Sequence, residues 1–286
     1  MDKLITLQNV SYFRHEKKIL DNISFSIDKG EKLALLGSNG SGKSTLIDIV
    51  TQDIKPTSGH VHFNNTSIFP KNKIGVLYGC LPLLPYLKVF EQIQYFTSIY
   101  RLNYKKIKEC YYERLGIDKI KNSFIYQLSQ GERQKLGLLI SIINNPELLI
   151  WDEPFSNIDP TIIDTIWGIV NSDEKTIFYS THNWDDVLKK SSKICLLYEG
   201  KLLEKPKSPT ELLSAFPKHK VLIVGIDSSV SEVIKNYEYY KLDNCYYVFW
   251  NTDEPIIAEI SKLTNNFSIK EISLTDYYRY KISKLS

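Results

Sequence analysis

The sequence predicts an α/β fold with a parallel sheet, followed by a smaller α+β section. Three observations carry that prediction. Short apolar runs, "KLALLG", "ELLIWDEP", "TIFYSTH" and "KICLLYEG", alternate with stretches of helical period such as "STLIDIVTQ". This is the pattern of buried parallel strands covered by helices. Near the start, "LITLQNVSYF" and "ILDNISFSID" instead alternate apolar and polar residues, as antiparallel strands with one wet face do. Between about 85 and 143 the pattern turns helical and rich in Tyr, Lys and Ile, entered through "LPLLPY".

In chain order, an N-terminal antiparallel β subdomain comes first, then a strand, a glycine-rich loop and a helix. A helical insertion spans about 85–143, and strands resume at 148. After "EKPKSPTELLSAFPK", the runs "KVLIVGI", "CYYVFW" and "FSIKEIS" read as strands and "PIIAEISKLTN" as a helix, a small βαβ-type domain. The expected division is 1–216 and 217–286.

Composition narrows the classes. A chain of 286 residues, 43% hydrophobic, is large enough for one domain plus a smaller companion. The formal charge of +3, with acids and bases mixed, gives no basic stripe, so nucleic acid is not an expected partner. The four cysteines, Cys80, Cys110, Cys195 and Cys245, form no C-x-x-C pair. That argues against a zinc site or a disulfide scaffold and for buried structural thiols in a reducing compartment. "MDKLITLQNV" lacks a signal-peptide pattern. The best apolar run, "LGLLISII", is cut by "NNPE" and falls short of the roughly 20 residues that span a bilayer.

No core is built from "GSNGSGKST", residues 37 to 45. Gly37, Gly42, Lys43 and Ser44 fit G-x-x-x-x-G-K-[ST], after a strand and at the opening of a helix. Glycines let successive N–H groups point at phosphate oxygens, and a helix starting near Ser44 adds its positive end. Nucleotide contacts are therefore expected from Gly37, Ser38, Asn39, Gly40, Ser41, Gly42, Lys43, Ser44 and Thr45. Lys43 reaches the outer phosphates and the Ser44 hydroxyl binds Mg²⁺. The expected ligand is a nucleoside triphosphate; a flexible Gly/Ser loop is the alternative.

A magnesium site also needs a carboxylate. "LLIWDEP" ends an apolar strand with Asp152 and Glu153. Where the chain turns, one acid can serve the metal and the other the attacking water, which gives metal to Asp152 and base to Glu153.

With these motifs the chain resembles the nucleotide-binding subunits of ABC transporters over residues 1 to about 215. "GSNGSGKST" resembles their Walker A loop, "LSQGERQK" at 128 to 135 their signature, and "LLIWDEP" their Walker B strand with catalytic glutamate. "SNID" at 156 to 159 resembles their D-loop and "STH" at 180 to 182 their switch histidine. The resemblance implies a P-loop NTPase core of the RecA-like type, and ATP with Mg²⁺ as cofactors. It also implies a second ATPase subunit, identical or not, and an integral membrane permease on whose inner face the chain sits in the cytoplasm.

In that resemblance Ser129, Gln130, Gly131 and Glu132 contact the γ-phosphate of ATP held by the opposite subunit. Ser129 would cap a helix beginning near Glu132, with Gly131 permitting close approach. His182 donates to the γ-phosphate, and Asp159 organises the dimer seam. Adenine stacking falls on Arg14, with Phe13 and Tyr12 just ahead; a guanidinium plane also stacks on a base. The family's glutamine between Walker A and signature aligns with Gly79. Weaker Mg²⁺ coordination or altered coupling is expected, unless Gln92 or Gln94 substitutes.

The function implied is an ATPase that powers transport. Its alternatives are a weakly hydrolytic regulatory cassette and a soluble relative, though neither the tandem cassettes nor the long coiled coil of the soluble types is present. The ending "ISLTDYYRY", residues 272 to 280, resembles the tail of ATPases from bacterial drug and antimicrobial-peptide exporters. The nearby tyrosines mark an interface or pack a small core of their own.

Overall fold

A computed structural model describes residues 2–67, 71–79, 82–172, 175–214, 216, 218–252 and 254–285. Cys80 and Leu81, which follow Gly79, lie outside them. The chain divides into two compact units, Met1–Pro206 and Lys207–Ser286.

The first unit runs β1 (Lys3–Arg14), β2 (Lys17–Asp28), β3 (Lys32–Leu36), α1 (Lys43–Val50), β4 (Ser58–Phe63) and β5 (Ile74–Leu77). It continues through α2 (Val89–Ile99), α3 (Tyr104–Tyr111), α4 (Gln130–Ile142), β6 (Leu148–Trp151) and α5 (Pro160–Ser172). It ends with β7 (Thr176–Thr181), α6 (Trp184–Lys190), β8 (Lys193–Tyr198) and β9 (Lys201–Leu202). Strands β5-β6-β7-β3-β8-β9 form one sheet, parallel except for the last pair. Every residue of β6 and β7 is buried, as strands covered on both faces require.

β1 and β2 pair antiparallel as expected, and β4 joins them as a third strand on the open edge of β1. "SGHVHF" is short and carries two histidines, so its alternation is weak in sequence. The apolar faces of both sheets and of α1 share one core, containing Ile5, Ile27, Leu33, Ile47, Ile150 and Phe178. Cys195 is in it, its thiol pushed up by burial. Cys110 departs from the expected buried thiol. It is exposed because α3 buries only Ile107.

The second unit comprises α7 (Pro209–Ser214), β10 (Lys220–Gly225), α8 (Ser228–Ile234), β11 (Glu238–Leu242), β12 (Cys245–Trp250), α9 (Ile256–Ile260), β13 (Phe267–Glu271) and α10 (Leu274–Ser283). From β10 to β13 the order is β-α-β-β-α-β, with antiparallel strands ordered β11-β12-β10-β13, the split-βαβ arrangement. Sequence reading missed β11 and α8. The first mixes Tyr with charge, and the second is seven residues rich in serine. The hairpin between β11 and β12 turns at Asp243 and Asn244, both at positive φ (47° and 60°), as a two-residue type I′ turn requires.

One face of this sheet packs on α8 and α9 through Val230, Ile234, Ile256 and Ile260. On the other, Phe216 packs edge-on against Phe249, Tyr277 and Tyr280. That contact ties α7 and Phe216 to the second unit, so the division falls at 206/207, ahead of the expected 216/217. Tyr240, Tyr246 and Tyr277 are buried against residues of this unit and help build its own core. Among the described residues no helix is long and apolar enough to cross a membrane.

Candidate functional site

The sheet order places the C-terminal ends of β5, β6, β7 and β3 side by side, where ligands meet open parallel sheets. Each end carries one part of the site. After β3, residues 37–42 form the glycine-rich loop and α1 starts at Lys43, one residue before the expected Ser44. Gly42 has φ +106° and Gly40 +79°, which side-chain-bearing residues resist. A Cβ on Gly37 would lie 2.4 Å from the Leu197 carbonyl oxygen of β8. The Lys43 ammonium is buried and donates to the carbonyls of Gly37 (3.0 Å) and Ser38 (3.3 Å). Ser44 is exposed at the helix start.

After β6, Asp152 is buried and its Oδ1 accepts a 2.5 Å hydrogen bond from the Ser180 hydroxyl. A Cβ added to Gly79 at the end of β5 would lie 3.1 Å from Asp152 Oδ2, so the other carboxylate oxygen faces the glycine. Glu153 stands at φ +48°, a left-handed conformation that a side-chain-bearing residue holds only when its surroundings compel it. Its N–H donates to Ser180 Oγ at 2.9 Å. Its Oε2 accepts from His182 Nδ1 at 2.7 Å, and Oε1 is 3.9 Å from Lys43 Nζ. The His182 side chain is 67% exposed, leaving Nε2 accessible. The structure thus brings Lys43, Asp152, Glu153 and His182 together.

Ser129 caps α4, which begins at Gln130 and not near Glu132. Ser129 Oγ accepts from the Glu132 N–H (3.3 Å) and donates to Glu132 Oε2 (2.8 Å). The hydroxyl expected to face an anion is therefore engaged within its own capping box. Hydrogen bonds from the Ser129 backbone and hydroxyl hold the Glu132 carboxyl below its usual range. A Cβ on Gly131 would lie 2.2 Å from the Asn157 carbonyl oxygen. The glycine thus serves a close approach inside the chain, to the 156–159 segment. Asp159 is exposed and accepts from the Thr161 hydroxyl and N–H, capping α5; those bonds lower its pKa.

Phe13 is 41% exposed with Lys18 Nζ 5.4 Å from its ring centre, and Arg14 is exposed at the hairpin end, paired with Lys17. Gln92 does not replace the missing amide. It is buried on α2, where its Oε1 accepts the Leu84 N–H at 3.0 Å. Gln94 is exposed on the same helix.

Three further residues escaped sequence reading. Ser180 stands two positions before His182, on the same side of the strand by alternation, which was the available signal. Asp48 lies one helical turn after Ser44. Burial, then the charges of Asp152 and Asp53, raise its pKa. Gln134 on α4 is buried and donates to the carbonyls of Glu153 (3.0 Å) and Pro154 (3.2 Å); no local pattern marks it.

The donor set suits magnesium with a nucleotide. Among the described residues no group of three His, Cys, Asp or Glu is placed to hold a metal alone. One carboxylate oxygen, Asp152 Oδ2, and one exposed hydroxyl, Ser44, stand near the phosphate loop. Mg²⁺ is commonly held in this way, by one or two carboxylates plus substrate phosphates.

Residues 20–156 match the family model described as ABC transporter. The chain is 32% identical over 225 residues to the lantibiotic transport ATP-binding protein SrtF of Streptococcus pyogenes, covering 77% of this chain and 98% of that protein. It is 32% identical to the cell division ATP-binding protein FtsE of Bacillus subtilis, over 64% of this chain and 87% of the relative. A bacterial ABC transporter cassette solved as a dimer superposes with a TM-score of 0.63 at 26% identity, over 71% of this chain and 98% of that one.

Proposed function

The chain belongs to the ATP-binding subunits of ABC transporters, and from that premise we propose how its residues hydrolyse ATP and what the hydrolysis drives. The reading rests on one observation: Glu153 is held at the mouth of the glycine loop, with His182 on one carboxylate oxygen and Lys43 near the other.

The loop N–H groups and Lys43 hold the phosphates, and Lys43 exchanges its carbonyl partners for phosphate oxygens. Ser44 and Asp152 hold Mg²⁺, which when bound offsets charge on the outer phosphate oxygens. Glu153 orients the attacking water and accepts its proton. His182 donates through Nδ1 to that carboxylate and, carrying a proton on both ring nitrogens, donates through Nε2 to the γ-phosphate. Ser129, Gln130, Gly131 and Glu132 of a second subunit close the site, so turnover follows dimerisation. Phe13 and Arg14 contact the base, and Asp159 lies at the seam.

The membrane permease docks on the helical insertion, where Leu84, Tyr86, Tyr95, Ile99 and Tyr126 are exposed and the rings of Tyr86 and Tyr126 lie 6.2 Å apart. The cargo is exported and is a drug, peptide or lipid-like molecule. The lantibiotic transport relative supports this direction, while a thiamine import relative, 32% identical, stands against it. The "ISLTDYYRY" tail adds little, since Ser273 and Asp276 are spent in the capping box of α10. A second reading, a weakly hydrolytic partner cassette, is favoured by Gly79 alone.

Glu153→Gln tests the site. Retained ATP with turnover reduced about 10²- to 10⁴-fold is expected; unchanged phosphate release would end the assignment. Co-purification of the permease from membranes, with ATPase measured before and after its addition, separates the two readings.

A further inference from the structure

Ser180, the penultimate residue of β7, is fully buried. A hydroxyl has one proton to donate, and this one goes to Asp152 Oδ1 at 2.5 Å, while the oxygen accepts the Glu153 N–H at 2.9 Å. Two residues on, His182 meets the Glu153 carboxylate at 2.7 Å. The end of β7 therefore grips residue 153 twice, at its backbone and at its side chain. Through the same Ser180 oxygen it also grips Asp152.

Both grips have a cost to offset. Glu153 is held at φ +48°, a conformation that persists where surrounding contacts enforce it. Asp152 is a buried carboxylate, and on its Oδ2 side stands Gly79, which has no side chain to orient it. Among the described residues no hydrogen bond reaches Oδ2, so the bond to Oδ1 is the one that sets the carboxylate torsion.

We infer that Ser180 is a positioning residue. Its hydroxyl holds Oδ1 so that Oδ2 is left for a divalent cation, and its oxygen fixes the left-handed turn that presents Glu153. This rests on the reading of Asp152 as cation ligand and Glu153 as base. Partners that orient metal ligands commonly account for about 10- to 100-fold in metal affinity or activity.

The test is Mn²⁺ binding to the full chain, followed by electron paramagnetic resonance with saturating ADP, beside ADP affinity in EDTA. Ser180→Ala is expected to weaken Mn²⁺ about tenfold and to leave ADP binding in EDTA unchanged. Ser180→Thr, which keeps the hydroxyl, restores Mn²⁺ affinity. If the alanine variant does not fold, Ser180→Cys, of similar size but a far weaker donor, carries the same comparison with the same expected loss. Wild-type Mn²⁺ affinity in the variant lacking the hydroxyl, an equal loss of ADP binding in EDTA, or threonine no better than alanine would each overturn the inference. A wild-type chain that binds ADP but gains no Mn²⁺ with it would overturn the underlying reading of Asp152 instead.

Discussion

The two units treat their polar groups differently. In Met1–Pro206, four parallel strands end side by side and their polar side chains are only partly committed: Asp152 has one oxygen bonded to Ser180, and His182 has one nitrogen on Glu153. In Lys207–Ser286 the most buried carboxylate, Asp276, is saturated. It accepts from Tyr240 and Lys270, each at 2.8 Å, and from the Ser273 N–H and hydroxyl. Glu238 likewise accepts from Tyr280 at 2.6 Å. Antiparallel strands joined by a hairpin and short helices spread their ends over both edges, whereas parallel strands gather their C-terminal ends on one. Chemistry collects where hydrogen-bonding capacity is left over.

The largest expected effect that would break this comparison is on stability. Asp276→Ala leaves Lys270, Tyr240 and the cap of α10 without their common acceptor, which is expected to cost about 3 kcal/mol. Denaturant melts should show the loss, while ATPase per folded molecule stays the same. A fall in turnover would mean that the second unit is not confined to satisfying itself.

Gly131→Ala probes the first unit. Its Cβ would sit 2.2 Å from the Asn157 carbonyl, so the start of α4 must move from the 156–159 segment at a cost of about 1–3 kcal/mol. Here turnover should fall together with stability, measured on one preparation.

The pH dependence is smaller. Burial disfavours the charge on Asp276, but the hydrogen bonds from Lys270, Ser273 and Tyr240 override it, and the folded pKa lies below the ordinary value. The stability this contributes is present above about pH 4, the unfolded carboxylate range, and is lost as pH falls through the folded pKa. Hydrogen-exchange protection factors of β10–β13, referred to the intrinsic exchange rate at each pH, should fall below about pH 4 in the wild type, and Asp276→Asn should remove that acid step.

The smallest change expected is from Gly79→Gln. The new Cβ meets Asp152 Oδ2 at 3.1 Å, tight but not prohibitive, and an amide returns beside the carboxylate. The Mg²⁺ concentration for half-maximal ATPase should fall about threefold, roughly 0.6 kcal/mol. No shift would mean that Ser180 already supplies the whole orientation.

Much of the site is legible in sequence because its motifs are local. The glycine loop, the Ser129 cap and the acid pair at the end of β6 each declare themselves within a few residues. The roles of Ser129 and Gly131 were only half legible, since neither the Glu132 carboxylate nor the Asn157 carbonyl announces which group it will occupy. Ser180, Gln134 and Asp48 were missed because their partners lie on other elements. In the second unit the tyrosines left two readings open: burial puts Tyr240, Tyr246 and Tyr277 in the core, while Tyr237, Tyr239, Tyr247 and Tyr280 keep part of their surface exposed.

The sequence by itself determined where the glycine loop lies, near which residues its flanking helices start, and which runs can be buried on both faces. Those are steric and solvation preferences acting over one to a few residues. Only the tertiary structure decided that β6 lies beside β7 and β7 beside β3, so that one buried hydroxyl meets an acid 28 residues earlier in the chain. Such pairings are set by the packing of whole strands, and no short stretch of chain encodes its neighbour across a sheet.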